Sequence, residues 1–325
     1  MALNARKVVR DTGAFDIIYG YELYGVLAAR LLRFMGYAKN ARFVIRFQGV
    51  LHVKEWLRLN QKIRVITNPD AIWALKTRAD LTIMTNDGSQ GLDVLRQLRA
   101  PANKTLFLVN GVDVPQLKSD KLQQIQQLYP NVNFHFLSIS RLDAHKRIDR
   151  GIRIIEKIVH HFRFESLHYT VIGGGSEKGN LEQLIKRLEL SRFVTLLGPV
   201  DAWQVPYHIN QCNFLISMYT SSNVGNPLLE SIRMGKPVVT LNNGDTASWI
   251  THQVNGLIYD VDDQKDLSDG DYLKIATDIL ETVKEPARYE QMVKQVKFTA
   301  QEKLWTWDAR FEREITEVKN LIQQQ

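Results

Sequence analysis

Cysteine is nearly absent from this sequence. Cys212 is the single one, which excludes an internal disulfide and any cysteine-based zinc framework. Long apolar runs are missing as well: none approaches the roughly 20 residues of a membrane-spanning helix. The opening residues MALNARKVVRDTG lack the apolar core of a secretory signal. These absences give the expectation of a cytoplasmic protein, with a peripheral place on the cytoplasmic face of a membrane left open. No internal repeat occurs, and low complexity is confined to the final Gln run. The G-x-G-x-x-G fingerprint of a nicotinamide-binding turn fails, because counting from Gly173 the third glycine position is Lys178. Residues 260–271 hold six Asp but not the alternating ligands of a calcium loop, so a solvated acidic loop is expected there. No Asp-x-Asp stands at a strand end, and no metal site is expected.

What is present is ordinary globular material, 44% hydrophobic and 24% charged, in 325 residues that fit two domains. The net charge of +7 is unevenly placed. Residues 1–130 hold 19 Lys and Arg against 10 Asp and Glu, and the remainder holds 23 against 25. Most of the excess precedes position 65, including Arg30, Arg33, Lys39, Arg42, Arg46, Lys54, Arg58, Lys62 and Arg64. Such a field attracts anions such as lipid headgroups, nucleic acid or phosphorylated substrates, unless it is only a solvated surface. No nucleic-acid motif accompanies it.

Short apolar runs alternate with helical stretches throughout. The pattern predicts strands at 15–19, 43–47, 81–85 and 105–109, and then at 134–139, 168–172, 193–197, 214–218 and 237–241. Helices are predicted at 23–35, 147–161, 178–190, 202–211 and 227–234, with another starting at Pro69 behind Asn68. Pro227 suits a first helical turn and Gly235 a C-terminal cap. This alternation is that of parallel sheets covered by helices, an α/β fold. Residues 116–133 read as a connection, and the tail is a long helical pattern broken by Trp305 and Trp307.

Three runs carry chemistry. Ser140, Arg141 and Lys146 follow a strand, where open parallel sheets bind ligands. A guanidinium fork with a point charge suits a diphosphate, although two basic residues on a loop are often simply solvated. Gly173, Gly174 and Gly175 end the next strand, where they bring backbone close to a phosphate or make a tight turn. The run Ser222, Asn223, Val224, Gly225, Asn226 and Pro227 feeds a helix, and the N–H groups of Gly225, Asn226 and Leu228 offer an anion site. Glu230, one turn in, either binds ribose hydroxyls or complements the helix dipole.

In order, S-R-L-D-x-x-K, V-I-G-G-G, L-L-G-P-V, G-N-P-L-L-E-S-I-R-M-G-K-P-V-V and V-N-G-L-I-Y resemble the C-terminal domain of the retaining, nucleotide-sugar-dependent GT-B glycosyltransferases of the group 1, family 4-like kind. A-D-L-T-I and V-N-G-V-D resemble the end of that family's N-terminal domain, and W-T-W-D its last helix. The resemblance implies two Rossmann-like domains with parallel sheets facing a cleft. An acceptor-side domain would cover 1–115, a linker 116–133, a donor-nucleotide domain 134–296, and a helix crossing back 297–325. It implies a UDP- or GDP-sugar donor as substrate, with no tightly bound cofactor and no metal. By resemblance, Arg141 and Lys146 hold the diphosphate, Glu230 the ribose, and backbone at Pro199 and Val200 the base. Gly173, Gly174 and Gly175 line the cleft, and backbone near Gly225, Asn226 and Leu228 supports phosphate and sugar. Gln48 and Gly49 stand on the acceptor side.

The chain departs from the family pattern at Ser222, Gln48 and Ser248, where Glu, His and Glu are usual. Its N-terminal domain also reads as shortened, leaving a sheet edge for a homo- or hetero-oligomer to cover. The expected function is transfer of a sugar to a glycan or lipid-linked acceptor in surface polysaccharide or glycolipid synthesis. Two alternatives stay open: a catalytically weakened sugar-nucleotide-binding subunit, or a GT-B sugar-nucleotide epimerase. The basic residues 30–64 are expected to meet an anionic membrane.

Overall fold

The computed structural model describes residues 15–38, 40–50, 52–57, 62–100, 104–220, 222 and 224–323. They form two compact units, the first from Met1–Gly111 with Trp305–Gln325 and the second from Val112–Leu304.

Unit 1 contains β1 (Ile17–Tyr21), α1 (Glu22–Phe34), β2 (Arg42–Phe47), α2 (Val53–Trp56), α3 (Lys62–Thr67), α4 (Pro69–Leu75), β3 (Leu81–Thr85), α5 (Gly91–Gln97) and β4 (Thr105–Leu108). Its sheet runs β1-β2-β3-β4, parallel throughout. Every residue of β3 is buried, as a strand covered on both faces requires. Helix α1 turns Val26, Ala29 and Leu32 inward, at the spacing of one helical face.

Unit 2 contains α6 (Ser119–Gln126), β5 (Phe134–Ile139), α7 (Ile148–Glu156), β6 (Leu167–Ile172), α8 (Lys178–Arg187), β7 (Val194–Gly198), α9 (Val205–Gln211), β8 (Phe214–Ser217), α10 (Asn226–Arg233), β9 (Val238–Leu241), β10 (Gly256–Tyr259), α11 (Asp269–Lys284) and α12 (Pro286–Lys303). Its six strands, all parallel, lie in the order β10-β9-β8-β5-β6-β7. Phe136, Tyr169, Val171, Ile152, Ile155 and Phe214 form the centre of one large core.

The last helix, α13 (Trp307–Gln323), clusters with unit 1. Charge fixes it there. Fully buried Arg310 donates to Glu314 at 2.6 Å, and Glu314 also accepts from Tyr19 at 2.6 Å and from Arg46 at 3.3 Å. Lys104 pairs with Glu317, and the Arg42 Nε donates to the Leu321 carbonyl at 3.1 Å.

The structure redraws several expectations. The connection at 116–133 contains α6, whose Ile125 is buried, and the chain divides after Gly111 and after Leu304. The acidic run is built rather than merely solvated. Asp269 and Asp271 form the first turn of α11, and Ser268 and Asp271 exchange capping hydrogen bonds with each other's backbone N–H, at 3.2 and 2.9 Å. Carboxylates there complement the helix N-terminus. The basic residues of 30–64 do not form one face. Arg42 and Arg46 anchor α13, Arg33 donates to the Ala41 carbonyl at 2.9 Å, and Lys54 pairs with Asp93 at 3.0 Å. Lys39, Arg58 and the Lys62 side chain lie outside what is described.

Candidate functional site

The C-terminal ends of the parallel strands in unit 2 collect most of the sequence-singled residues. Beyond β5, the Ser140 N–H donates to the Ile172 carbonyl at 3.0 Å, and the Leu142 N–H donates to that of Gly174 at 2.9 Å. Beyond β6, the Gly173 N–H donates to Gly198 at the end of β7, at 2.9 Å. Three strand ends are thus laced into one rim. The glycines make this packing feasible. Gly173 has φ +135°, and a Cβ there would stand 1.8 Å from the Ser140 carbonyl oxygen. A Cβ on Gly175 would stand 2.5 Å from the Leu142 carbonyl oxygen. Gly173 and Gly175 therefore serve loop-on-loop packing first. A Cβ on Gly174 would meet the Pro199 ring at 3.8 Å, an ordinary contact.

Arg141 projects outward, 74% exposed, with Asp143 at 3.3 Å. Lys146, in a short 3-10 turn, holds its Nζ 3.8 Å from the centre of the Tyr219 ring. Burial, then the Arg141 charge, hold its ammonium below the ordinary lysine range, while Asp143 acts the other way. A bound anion would relieve that penalty. The same turn is tied to the loop before α10, because the Thr220 N–H donates to the His145 carbonyl at 3.0 Å.

Helix α10 begins as the punctuation predicts, with Pro227 in its first turn and Gly225, in extended conformation, at the cap. Ser222 Oγ accepts from the Val224 N–H at 3.3 Å. Val224 and Leu228 bury their side chains, so only their backbone can meet a ligand, whereas Asn226 is exposed. Asn223 lies outside the described residues. Glu230 is half-buried, and burial pushes its carboxyl above the usual range. It lines a cavity of about 440 Å³ together with Val114, Pro115, Trp203, Tyr207 and Met234.

Sequence reasoning missed Trp203, Tyr207 and Val114, which give this cavity its apolar wall. It also missed Arg150. That buried guanidinium donates to the carbonyls of Met218, Asp263 and Lys265 at 2.9, 2.8 and 2.7 Å, fixing the segment that carries Tyr219. Asn243 donates to the Tyr219 carbonyl at 2.9 Å. Ser248 sits in a 3-10 turn, where its carbonyl accepts from Lys303 at 2.6 Å. No local motif marks these partners, since each reaches across tens of residues.

The same edge of the sheet in unit 1 places Gln48 and Gly49 after β2. The Gln48 N–H donates to Glu22 at 2.5 Å, and its side-chain amide donates to the Tyr21 hydroxyl at 3.1 Å. A Cβ on Gly49 would stand 1.8 Å from the Asp87 carboxylate, so any larger residue would have to displace that side chain. Burial raises the Asp87 pKa, while Ser89 holds its carboxylate by a 2.5 Å hydrogen bond. Glu22 and Asp87 are thus further groups at this edge. Among the described residues no His, Cys, Asp and Glu group gathers for a metal, and no helix is long and apolar enough to cross a membrane.

The sequence profile described as Glycosyl transferases group 1 matches residues 119–295. The chain is 27% identical to mouse alpha-1,3/1,6-mannosyltransferase ALG2 over 154 residues, 43% of this chain and 37% of that protein. It is 22% identical to the alpha-monoglucosyldiacylglycerol synthase of Streptococcus pneumoniae over 147 residues, 45% of this chain and 33% of that one. The matches thus span only about a third of these curated relatives. Among solved structures, Anabaena Alr3699/HepE in complex with UDP superposes with a TM-score of 0.77 at 18% identity, covering 98% of this chain and 81% of that one. At that identity the likeness is one of fold, two parallel α/β units of the GT-B glycosyltransferases.

Proposed function

The chain belongs to the glycosyl transferases group 1 family, and on that premise we propose that it moves a sugar from a UDP- or GDP-linked donor to a hydroxyl of a glycan or lipid-linked acceptor, with retention at the anomeric carbon. The observation that carries this reading is the rim of unit 2. There Arg141 and Lys146 stand beyond β5, tied through Thr220 to the loop leading into α10, whose Glu230 lines the 440 Å³ cavity. The UDP complex of HepE supports the donor class, and the similarity to a mannosyltransferase and a monoglucosyldiacylglycerol synthase supports hexosyl transfer.

In this reading unit 2 binds the donor and unit 1 the acceptor. The two cations of unit 2 hold the diphosphate, Glu230 accepts from ribose hydroxyls, and the aromatic wall of Trp203 and Tyr207 flanks the nucleoside. As the C1–O bond breaks, its electron pair passes to the diphosphate oxygen, where Arg141 and Lys146 oppose the growing charge. Such preorganised donors contribute a few kcal/mol each. The acceptor oxygen bonds to C1 on the face the diphosphate leaves, and its proton passes to the departing diphosphate. No side-chain base is needed at Gln48, and no metal enters the scheme. A place in polysaccharide or glycolipid synthesis at a cytoplasmic membrane face follows from the same reading. So does an oligomeric partner beside β1, whose one neighbouring strand among the described residues is β2.

A second reading is favoured by Ser222 and by Gln48, whose amide is engaged by Tyr21. It is a sugar-nucleotide-binding subunit that supports another transferase. Incubation with a panel of UDP- and GDP-sugars and acceptors tests both. Transfer or donor hydrolysis that vanishes in Arg141→Ala and Glu230→Ala supports the enzyme. Tight binding without turnover supports the subunit, and absence of any nucleotide binding overturns both. Release or isomerisation of the sugar without an acceptor would instead mark an epimerase.

A further inference from the structure

Most of the large apolar side chains left exposed among the described residues belong to unit 1, where the sequence also concentrates its positive charge. Five are 60% exposed or more: Tyr24 at 66% near the start of α1, and then Phe34 at 86%, Ile66 at 77%, Ile63 at 71% and Trp73 at 60%. A soluble surface carries single exposed apolar residues, but a group of this size marks a contact.

The last four stand on helices that pack against one another, α1 on α4 and α4 on α3. Arg30 and Phe34 stand four apart on α1, hence on one face, and the Arg30 guanidinium donates to the Trp73 carbonyl on α4 at 3.2 Å. Asn68 joins α4 to α3 by donating to the Arg64 carbonyl at 2.8 Å. On α3, Ile63 and Ile66 stand three apart on one face, and exposed Arg64 flanks Ile63 about 100° around the helix. Helix α4 buries Ala74 and Leu75 beneath, so Trp73 is not needed for the core. The sequence reading expected a broad basic face over 30–64. The fold half-buries Arg33, Arg42, Arg46 and Lys54 in their pairings and leaves Arg30 and Arg64 exposed on the helices that carry the apolar tips.

We propose that α1, α3 and α4 form a docking face for an anionic lipid bilayer. Phe34, Ile63, Ile66 and Trp73 enter the headgroup boundary while Arg30 and Arg64 hold lipid phosphates. Cations bordering protruding apolar side chains are the composition of an interfacial element. A second copy of the chain fits less well, because a two-fold contact over this face would set arginines against arginines. The inference deepens the lipid-linked acceptor part of the proposed function and rests on it for its purpose. The binding itself is measured without donor or acceptor.

The test is co-sedimentation of the full chain with phosphatidylcholine vesicles, with and without phosphatidylglycerol. Binding is expected only with the anionic lipid, weakening as salt rises. The Phe34→Glu/Ile66→Glu variant should lose about tenfold or more in partitioning. Arg30→Ala and Arg64→Ala should each lose roughly fivefold. Brominated lipid should quench fluorescence in the wild type more than in Trp73→Phe. Unchanged circular dichroism and urea midpoints show that the variants fold. Equal binding to neutral vesicles, no binding at all, or variants that partition like the wild type would overturn the proposal. So would a dimer that Phe34→Glu breaks in the absence of lipid affinity. A chain that binds vesicles but no nucleotide would overturn the proposed function and leave the docking face standing.

Discussion

Tyr19 on β1 donates its hydroxyl proton to Glu314 on α13 at 2.6 Å, across 295 positions of sequence. Burial, reinforced by that carboxylate, pushes the phenol well above its ordinary range, so it stays a donor throughout the accessible pH range. The other oxygen of the same carboxylate is the partner of fully buried Arg310.

Glu314→Ala should therefore cost more than Tyr19→Phe. The first strands a buried guanidinium, at about 3–5 kcal/mol. The second removes one charge-assisted hydrogen bond, at about 1–3 kcal/mol. Urea unfolding of both variants measures the difference, and equal losses would show that Arg310 finds another partner.

Gly173→Ala should abolish donor binding before it unfolds the chain. Its Cβ would sit 1.8 Å from the Ser140 carbonyl oxygen at φ +135°, so the loop carrying Gly173 and the loop carrying Arg141 must part. Backbone strain of this kind costs about 1–3 kcal/mol before any clash is counted. Gly179→Ala, with nothing within 4 Å, is the matched control. Calorimetric titration with UDP against both variants decides it.

Stability should fall on acidification from neutral pH. Burial pushes His168 and His208 down to about 4 and lowers His135 as well, against about 6.5 in the unfolded chain. A depressed histidine stabilises the fold above its unfolded pKa, and that contribution is lost as pH falls towards the folded value. The loss thus runs from about pH 6.5 to pH 4 and reaches the order of 5 kcal/mol for two such groups. The urea midpoint should drop across this window, and less steeply in a His168→Asn/His208→Gln variant.

Arg141→Ala and Lys146→Ala should each weaken UDP binding about tenfold or more. UMP, which lacks the second phosphate, should feel them less. Glu230→Gln should bind UDP better than Glu230→Ala, since an amide still accepts a ribose hydrogen bond. Thermal shifts with UDP, GDP and UMP read all three variants, and equal losses for UDP and UMP would count against the diphosphate role.

Legibility followed sequence distance. The strands at 81–85 and 134–139 coincide with β3 and β5, and Pro227 and Gly235 bracket α10 as predicted. Strand β10 escaped because no α-helix separates it from β9, so the strand–helix alternation does not mark it, and α11 was hidden by the acidic residues that cap it.

The sequence by itself determined the alternation of parallel strands and helices, the family motifs and the cations beyond β5, because hydrophobic period, turn chemistry and motif spacing are local properties of the chain. Only the tertiary structure decided what those charges and glycines meet. It committed Arg42 and Arg46 to α13 and Gly173 to the Ser140 loop, and it left Arg30 and Arg64 among exposed apolar side chains. A charge or a missing Cβ has no partner in one dimension. Its role depends on which distant backbone or carboxylate the folded core brings within a few ångströms.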